Sequence, residues 1–279
     1  MSFTEALESA ARAAAERVNI NEGDYIGEDG LLHCASCHKN KQTKIVIGGK
    51  ERVVYCICDC REAELAAEKA AEAERERRTR IAGLRSACFS ERAMEKWSFE
   101  NDNGCNPKLT AAMERYVENF GEYKSRGKGL LLCGSCGTGK TYAACEVANA
   151  LIDRGVSVKV TNFSRVLNEL QGTYDRQGYL DALNAHSLLV IDDLGVERGT
   201  DFAREQVFNV IDGRYRTGLP MIITTNLSLS EINKAPDAES RRIYDRILER
   251  CHPISVNGAS HRRQRVRNEY EATRLRLGL

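Results

Sequence analysis

Residues 134–141 carry the pattern G-x-x-x-x-G-K-[ST], here Gly-Ser-Cys-Gly-Thr-Gly-Lys-Thr. The apolar run Leu130–Cys133 precedes this segment, and a stretch that favours a helix follows it to about Arg154. Strand, glycine-rich turn and helix form the context in which this pattern binds phosphate. The glycines let successive backbone N–H groups point at an anion, and the helix N-terminus adds partial positive charge. The segment therefore predicts a nucleotide site in an α/β fold.

The residues of this loop have separate predicted roles. Lys140 would reach the β- and γ-phosphates, and the Thr141 hydroxyl would hold Mg²⁺. The remaining predicted nucleotide contacts are Gly134, Ser135, Cys136, Gly137, Thr138, Gly139 and Tyr142.

Polar residues end two of the later apolar runs. Leu188–Ile191 runs into Asp192 and Asp193, and Met221–Ile223 runs into Thr224, Thr225 and Asn226. Ligands collect at the carboxyl ends of parallel strands. We therefore expect Asp192 to contact the coordination shell of Mg²⁺ and Asp193 to orient or deprotonate the attacking water. Asn226 would contact the γ-phosphate or that water. Alternatively, the strand-end residues Thr224, Thr225 and Asn226 only cap a turn.

Five short, continuously apolar segments alternate with helix-like segments after residue 85, which is typical of a parallel sheet covered by helices on both faces. The predicted strands are 130–133, 157–161, 187–192, 221–226 and 253–256. The predicted fold class is therefore α/β, with a five-stranded parallel sheet.

Composition excludes some classes of function. The chain has 279 residues with 41 basic and 40 acidic side chains, so it is not a globally basic nucleic-acid binder. The charged N-terminus does not fit a signal peptide, and no segment has the length and apolar character of a membrane span. We therefore expect a cytoplasmic protein whose cysteines stay reduced.

Four regions are predicted along the chain. Residues 1–26 contain an amphipathic helix at 2–18, residues 27–62 form a small cysteine-containing module, and residues 63–84 form a charged helical linker rich in Ala, Glu and Arg. Residues 85–279 form the α/β domain. Within the module, apolar runs at 45–47 and 53–55 flank Gly48-Gly49 and predict a hairpin.

The module's cysteines predict a zinc site. Cys34-x-x-Cys37 is followed, after the hairpin, by Cys56-x-Cys58-x-Cys60. Four thiolates can surround Zn²⁺ tetrahedrally, and a segment of this size needs such a staple to fold. Only four of the five cysteines are needed, and the residues alone leave open which two of Cys56, Cys58 and Cys60 join the first pair.

The stretches GLLLCGSCGTGKTYAACEVANAL, LLVIDDLGVERGTDFAREQVFNVIDGRYRTGLPMIITTNLS and RIYDRILERCHPISVNGASHR together resemble the AAA+ ATPases of the bacterial DnaC/DnaI helicase-loader and IstB group. The resemblance covers about residues 97–265. It implies an AAA+ fold that hydrolyses ATP in an oligomer. By the same resemblance, Asn226 is sensor 1, Arg246 is the arginine finger that reaches a neighbour's ATP, and Arg262 is sensor 2. Cys58 and Cys60, which run straight into a charged helix, resemble the zinc modules of phage-type loaders. The resemblance therefore favours these two as zinc ligands with Cys34 and Cys37, and Cys56 is the alternate ligand.

The resemblance implies a loader that docks on a hexameric DnaB-type helicase and helps to place it on single-stranded DNA. The expected cofactors are ATP, Mg²⁺ and Zn²⁺. Residues 241–279 hold ten arginines against four acidic residues, which is either a solvated face or a surface for DNA contact. Tyr244 and Tyr270 are the only aromatic residues of this segment, so we expect contact with phosphates and not base readout. Two alternatives remain open: an IstB-like transposition helper ATPase, and an adaptor that binds ATP without turnover.

Overall fold

The computed structural model describes residues 20–195, 200–235, 237–258 and 260–278. The chain divides into two compact units, Met1–Arg78 and Thr79–Leu279. The helix predicted at 2–18 lies outside the described residues.

The described part of the first unit is built from short strands. Strands β1 (Tyr25–Ile26) and β2 (Leu32–His33) form one antiparallel pair, and β3 (Gln42–Ile47) and β4 (Lys50–Tyr55) form another. The pairing of Ile47 with Lys50 closes the second pair around Gly48-Gly49, so the predicted hairpin is confirmed. Helix α1 then runs from Asp59 to Cys88, across the boundary between the two units.

The second unit contains the α/β fold. Two 3₁₀ helices, Arg92–Lys96 and Phe99–Asn101, lead into it. Its other described helices are α2 (Pro107–Glu118), α3 (Phe120–Arg126), α4 (Lys140–Asp153), α5 (Phe163–Gly172), α6 (Arg176–Asn184), α7 (Asp201–Thr217), α8 (Leu229–Asn233), α9 (Ala238–Arg250) and α10 (His261–Leu277). Its strands are β5 (Gly129–Cys133), β6 (Val158–Asn162), β7 (Leu188–Leu194), β8 (Met221–Thr225) and β9 (Cys251–Ser255).

The five strands form one parallel sheet in the order β6-β7-β8-β5-β9. Strand β5, which leads into the glycine-rich loop, therefore lies between β8 and β9. This places the carboxyl ends of β5, β7 and β8 side by side at one edge of the sheet. The prediction of a five-stranded parallel sheet is confirmed.

Alternate side chains of each strand enter different hydrophobic clusters, as the pleat of a strand requires. Leu130 and Leu132 of β5 pack with α2 and α4, whereas Leu131 and Cys133 pack with α5, α6, α7 and α9. Strand β5 is buried over its whole length because both faces of the sheet are covered.

Among the helices of the described ranges, none combines the length and apolar character that a membrane crossing requires.

Candidate functional site

The glycine-rich loop connects β5 to α4 and is held closely against the end of β9. The Val256 amide donates to the Cys133 carbonyl at 2.7 Å. A Cβ atom at Gly134 would collide with the Val256 carbonyl oxygen, and Gly134 also has a φ of 148°. Only glycine fits there, since it has no side chain and tolerates positive φ.

Lys140 lies in the first turn of α4, with only 5% of its side chain exposed. Its Nζ atom donates to the carbonyls of Gly134 and Ser135, both at 2.8 Å, and to Asn226 Oδ1 at 2.9 Å. Burial lowers the pKa of the Lys140 ammonium, and the nearby carboxylate of Asp193 opposes that shift. The structure thus brings Lys140 together with Asn226, which is 86 residues away in the chain.

Asp192 lies at the end of β7, in hydrogen-bonding contact with Thr141 and Thr224. The Thr224 hydroxyl donates to Asp192 Oδ1 at 2.6 Å, and the Thr141 side chain also bonds to Asp192. Burial raises the pKa of the Asp192 carboxyl, and these two hydroxyl contacts oppose the rise. Hydroxyl and carboxylate oxygens are suitable ligands for Mg²⁺, so Thr141 and Asp192 fit the predicted ion.

Asp193 adopts a left-handed backbone conformation with a φ of 57°. Pairing of β7 with β8 shifts register between Ile191 and Leu194, so the strand bulges here. The Asp193 amide donates to Thr224 Oγ1 at 3.0 Å, and Asn226 Nδ2 lies 3.5 Å from Asp193 Oδ1. Strained, bulged backbone is typical of functional sites, where it aims a side chain away from the regular pleat.

A cavity of about 780 Å³ brings these residues together. One end is formed by the loop from Cys136 to Thr141 together with Asp192, Asp193 and Asn226. The other end is lined by some of the residues between 91 and 110, together with Tyr142 and Glu146 of α4. Cavities of this size accommodate small molecules such as nucleotides.

The second end of the cavity carries an aromatic wall. The rings of Trp97 and Tyr142 stack with centroids 5.6 Å apart. Asn149 Nδ2 fixes the segment that carries Trp97, because it donates to the carbonyls of Met94 at 3.0 Å and Trp97 at 2.9 Å. Met94 and Leu109 also line this end, which therefore offers flat apolar surface.

The two predicted arginines lie elsewhere. Arg246 is on α9, where its Nη2 atom lies 2.9 Å from Asp212 Oδ1 and its guanidinium group lies 4.6 Å from the Phe208 ring centroid. It does not line the cavity of its own chain, so its role as an arginine finger stays a prediction about a neighbouring subunit. The Arg262 side chain falls outside the described part of the chain.

In the first unit, the structure gathers the predicted zinc ligands. The Sγ atoms of Cys34, Cys37 and Cys58 all lie within 4.8 Å of one another. The Cys60 thiol contacts those of Cys37 and Cys34. Sulfur atoms around a tetrahedral Zn²⁺ are about 3.8 Å apart, as bonds of about 2.3 Å require, so this donor set fits zinc. The Cys56 thiol instead donates to the Asn40 carbonyl at 3.3 Å.

Sequence reasoning included Tyr142 but missed the other residues at the second end of the cavity. Trp97 precedes the strands of the parallel sheet and belongs to no motif. Glu146 carried a signal, since it is a charged residue within the otherwise apolar stretch 143–148 of α4. Its carboxyl group is only 2% exposed and lines the cavity.

Comparison with known families identifies the chain's relatives. The model of the IstB-like ATP binding protein family matches residues 55–269, which is well over half of the chain. The chain belongs to the IstB-like ATP-binding family. In this IstB-like chain, the loop, Asp192 and Asn226 all lie within the matched span.

Individual relatives of the IstB-like chain include a Mycobacterium tuberculosis protein whose name refers to ATP binding and to an insertion sequence. It is 29% identical over 64% of this chain and 72% of its own length. The replicative helicase loader DnaI of Bacillus subtilis is 26% identical over 59% of this chain and 58% of its own length. The replicative helicase loader DnaC of Escherichia coli is 28% identical over 54% and 62%, so the chain spans about three fifths of each loader.

Solved structures agree with this assignment. The crystal structure of DnaI matches with a TM-score of 0.52 at 26% identity, covering 63% of this chain and 98% of that one. The crystal structure of the DnaC helicase loader matches with a TM-score of 0.53 at 25% identity, covering 60% and 100%. The second unit of the IstB-like chain therefore has the AAA+ fold of DnaC and DnaI.

Proposed function

We propose that this chain is an ATP-hydrolysing AAA+ helicase loader, which binds a hexameric DnaB-type replicative helicase and assists its loading on single-stranded DNA. The observation that carries the ATPase part is the convergence of Lys140, Thr141, Asp192, Asp193 and Asn226 on one end of a single cavity. The helicase partner is supported by the similarity to DnaI and DnaC.

The proposed reaction is hydrolysis of ATP to ADP and phosphate. Water attacks the γ-phosphorus, the bond to the bridging oxygen breaks, and the water proton leaves by way of Asp193. Lys140 and Asn226 position the γ-phosphate and stabilise its charge. Mg²⁺, held by Thr141 and Asp192, would neutralise charge on the phosphate oxygens. Arg246 of a neighbouring subunit would complete the site.

The first unit would bind Zn²⁺ through Cys34, Cys37, Cys58 and Cys60 and would contribute to contact with the helicase. The arginine-rich segment 241–279 would contact the phosphates of single-stranded DNA. Self-association would occur through the AAA+ unit. The division suggested by the sequence, with a module at 27–62, a linker at 63–84 and an ATPase domain at 85–279, remains a proposal.

The test is native mass spectrometry of the zinc-loaded chain mixed with a hexameric replicative helicase, with and without ATP. We expect a complex with the helicase whose population changes with ATP. Lys140→Ala should abolish the ATP effect because it removes the phosphate-binding ammonium group. Lys234→Ala, an exposed lysine of the same unit, is the matched control. Absence of a complex in every nucleotide condition would exclude the loader function and leave the ATPase.

A transposition helper is the second candidate, because the M. tuberculosis relative is named for an insertion sequence. Parallel pull-downs with a helicase and with an insertion-sequence transposase separate the two. The adaptor alternative is separated by phosphate release, with and without single-stranded DNA; no release under either condition would contradict the assignment as an enzyme.

A further inference from the structure

Glu146 carries a carboxyl group that the fold buries without pairing it. The residue is 2% exposed and lines the cavity, yet its Oε1 atom has no hydrogen-bond partner within the described ranges. A buried polar atom left unpaired costs about 1–3 kcal/mol. A group kept under such a cost, on the wall of a ligand cavity, is a candidate for contact with the ligand.

The position of Glu146 along α4 indicates which part of a nucleotide it meets. It lies six residues beyond Lys140, about 9 Å along the helix axis, on the same face as Tyr142. Lys140 marks the phosphate end of the cavity, so Glu146 lies towards the nucleoside end. The stacked rings of Trp97 and Tyr142 line that end with Met94 and Leu109, and flat apolar walls suit a base better than a sugar.

The surroundings of Glu146 favour its neutral form. Burial, together with the negative charges of Asp102 and Glu114, raises the pKa of its carboxyl group to about 8. Tyr142 and Cys145, on its own helix, also interact with it and are neutral near pH 7. A neutral carboxyl group offers one O–H donor beside one carbonyl acceptor, the same pair that a glutamine amide offers.

We propose that Glu146 reads the base of the bound nucleotide, by donating to N7 of adenine and accepting from its N6 amino group. This inference rests on the proposed nucleotide site. Adenine presents an acceptor and a donor along that edge, whereas guanine presents two acceptors, N7 and O6. A neutral carboxyl group pairs fully with the first arrangement and leaves its own acceptor opposed to O6 in the second. Glu146 is thus the residue that selects ATP over GTP.

The test compares dissociation constants of ATP, GTP, 7-deaza-ATP and 2′-deoxy-ATP, measured by calorimetry on the zinc-loaded full chain. The wild type should prefer ATP over GTP by about 10- to 100-fold, the range typical of a two-bond base contact. Its preference for ATP over 7-deaza-ATP should be smaller, because 7-deaza-ATP loses only the bond to N7 and keeps the N6 amino group. Glu146→Gln should keep the preference, and Glu146→Ala should bring both ratios close to one. Between pH 7 and pH 9 ATP affinity should fall in the wild type and stay level in Glu146→Gln, which controls for other titrating groups.

Three results would overturn the inference. They are an unchanged ATP to GTP ratio in Glu146→Ala, equal affinity of the wild type for ATP and 7-deaza-ATP, or an effect confined to 2′-deoxy-ATP, which would make Glu146 a ribose contact. The 7-deaza comparison needs no variant and therefore holds even where Glu146→Ala fails to fold. Binding of no nucleotide at all would contradict the proposed function itself, whereas binding without base preference would contradict only this inference.

Discussion

At the scale of single residues, one hydroxyl group organises the acidic end of β7. Thr224 is fully buried, donates to Asp192 and accepts from the Asp193 amide. The Thr224 hydroxyl thereby stabilises both the carboxylate that would serve Mg²⁺ and the left-handed backbone that aims Asp193. Thr224, a residue of the neighbouring strand, therefore holds the backbone of Asp193, the residue proposed to activate water.

We expect Asp193→Asn to separate binding from hydrolysis. Asparagine tolerates the left-handed conformation, so the bulge should persist, but its amide cannot accept a proton from water. The rate of phosphate release should fall about 100-fold or more, the usual contribution of a positioned base, while the Kd for ATP changes little. Single-turnover kinetics and equilibrium binding measure the two effects. Loss of ATP affinity in parallel with the rate would instead indicate that Asp193 binds the substrate.

At the scale of single residues, only part of the site can be predicted from the sequence. The motif at 134–141 and the strand-ending Asp192 follow from local pattern, because a phosphate loop needs its glycines and its helix at fixed spacing. Nothing in an Asp-Asp pair specifies which of the two takes a positive φ. The aromatic wall of Trp97 and Tyr142 depends on packing between segments 45 residues apart, which a linear pattern does not encode.

At the scale of secondary structure, the close approach of β5 to β8 depends on Gly129. A Cβ atom at this position would collide with the Met221 backbone, which pairs in the adjacent strand. We expect Gly129→Ala to lower the free energy of unfolding by about 3 kcal/mol or more, since backbone cannot move aside as a side chain can. Denaturant unfolding measures the change.

Gly83→Ala is the matched control within the same unit. Gly83 lies inside α1 and a Cβ there meets no atom, so alanine should leave stability unchanged or raise it by up to about 1 kcal/mol through helix propensity. Equal effects of the two substitutions would contradict the argument from strand contact.

The elements themselves were largely predictable, because buried parallel strands are continuously apolar and the five runs stand out.

The choice among the later cysteines was harder. Cys56, Cys58 and Cys60 alternate as in one extended strand, which would place all three on one side. Helix α1 begins at Asp59 and breaks that alternation, so Cys60 turns toward Cys37 while Cys56 follows β4 and bonds to Asn40.

At the scale of the whole molecule, the two units are expected to respond differently to metal removal. A strong chelator should unfold the cysteine-containing module, because its strands are short and its few buried side chains include Cys34 and Cys58. The affinity of the AAA+ unit for ATP should persist. Circular dichroism and nucleotide binding on the same sample measure both.

The zinc content of two serine variants tests the proposed ligand set. Cys58→Ser should release the metal because it removes one of the clustered thiols, whereas Cys56→Ser should retain about one zinc per chain. Elemental analysis of the purified variants decides between them. Equal loss of zinc from both variants would mean that the ligand set is not the one proposed.

The role of Arg246 belongs to the assembly and calls for a mixing experiment. Lys140→Ala cannot hold ATP yet supplies Arg246, and Arg246→Ala holds ATP yet lacks that arginine. Each alone should be nearly inactive, and an equimolar mixture should recover hydrolysis well above the sum of the two, since some interfaces then combine intact halves. If the rates of the two variants only added, Arg246 would not act on a neighbour's ATP, and its role would be the ion pair with Asp212 and the stacking on Phe208 within its own chain.

The three acceptors that surround Lys140 Nζ have a consequence for affinity. A triphosphate must compete with the Gly134 carbonyl, the Ser135 carbonyl and Asn226 Oδ1 for the same three ammonium hydrogens. The measured affinity for ATP is therefore the difference between the contacts of Lys140 Nζ with the triphosphate and its contacts with these protein acceptors, which weaken binding. Shortening Asn226 to alanine would free one ammonium hydrogen of Lys140 and would also remove the proposed contact of Asn226 with the γ-phosphate, so the same side chain both competes with the substrate and binds it.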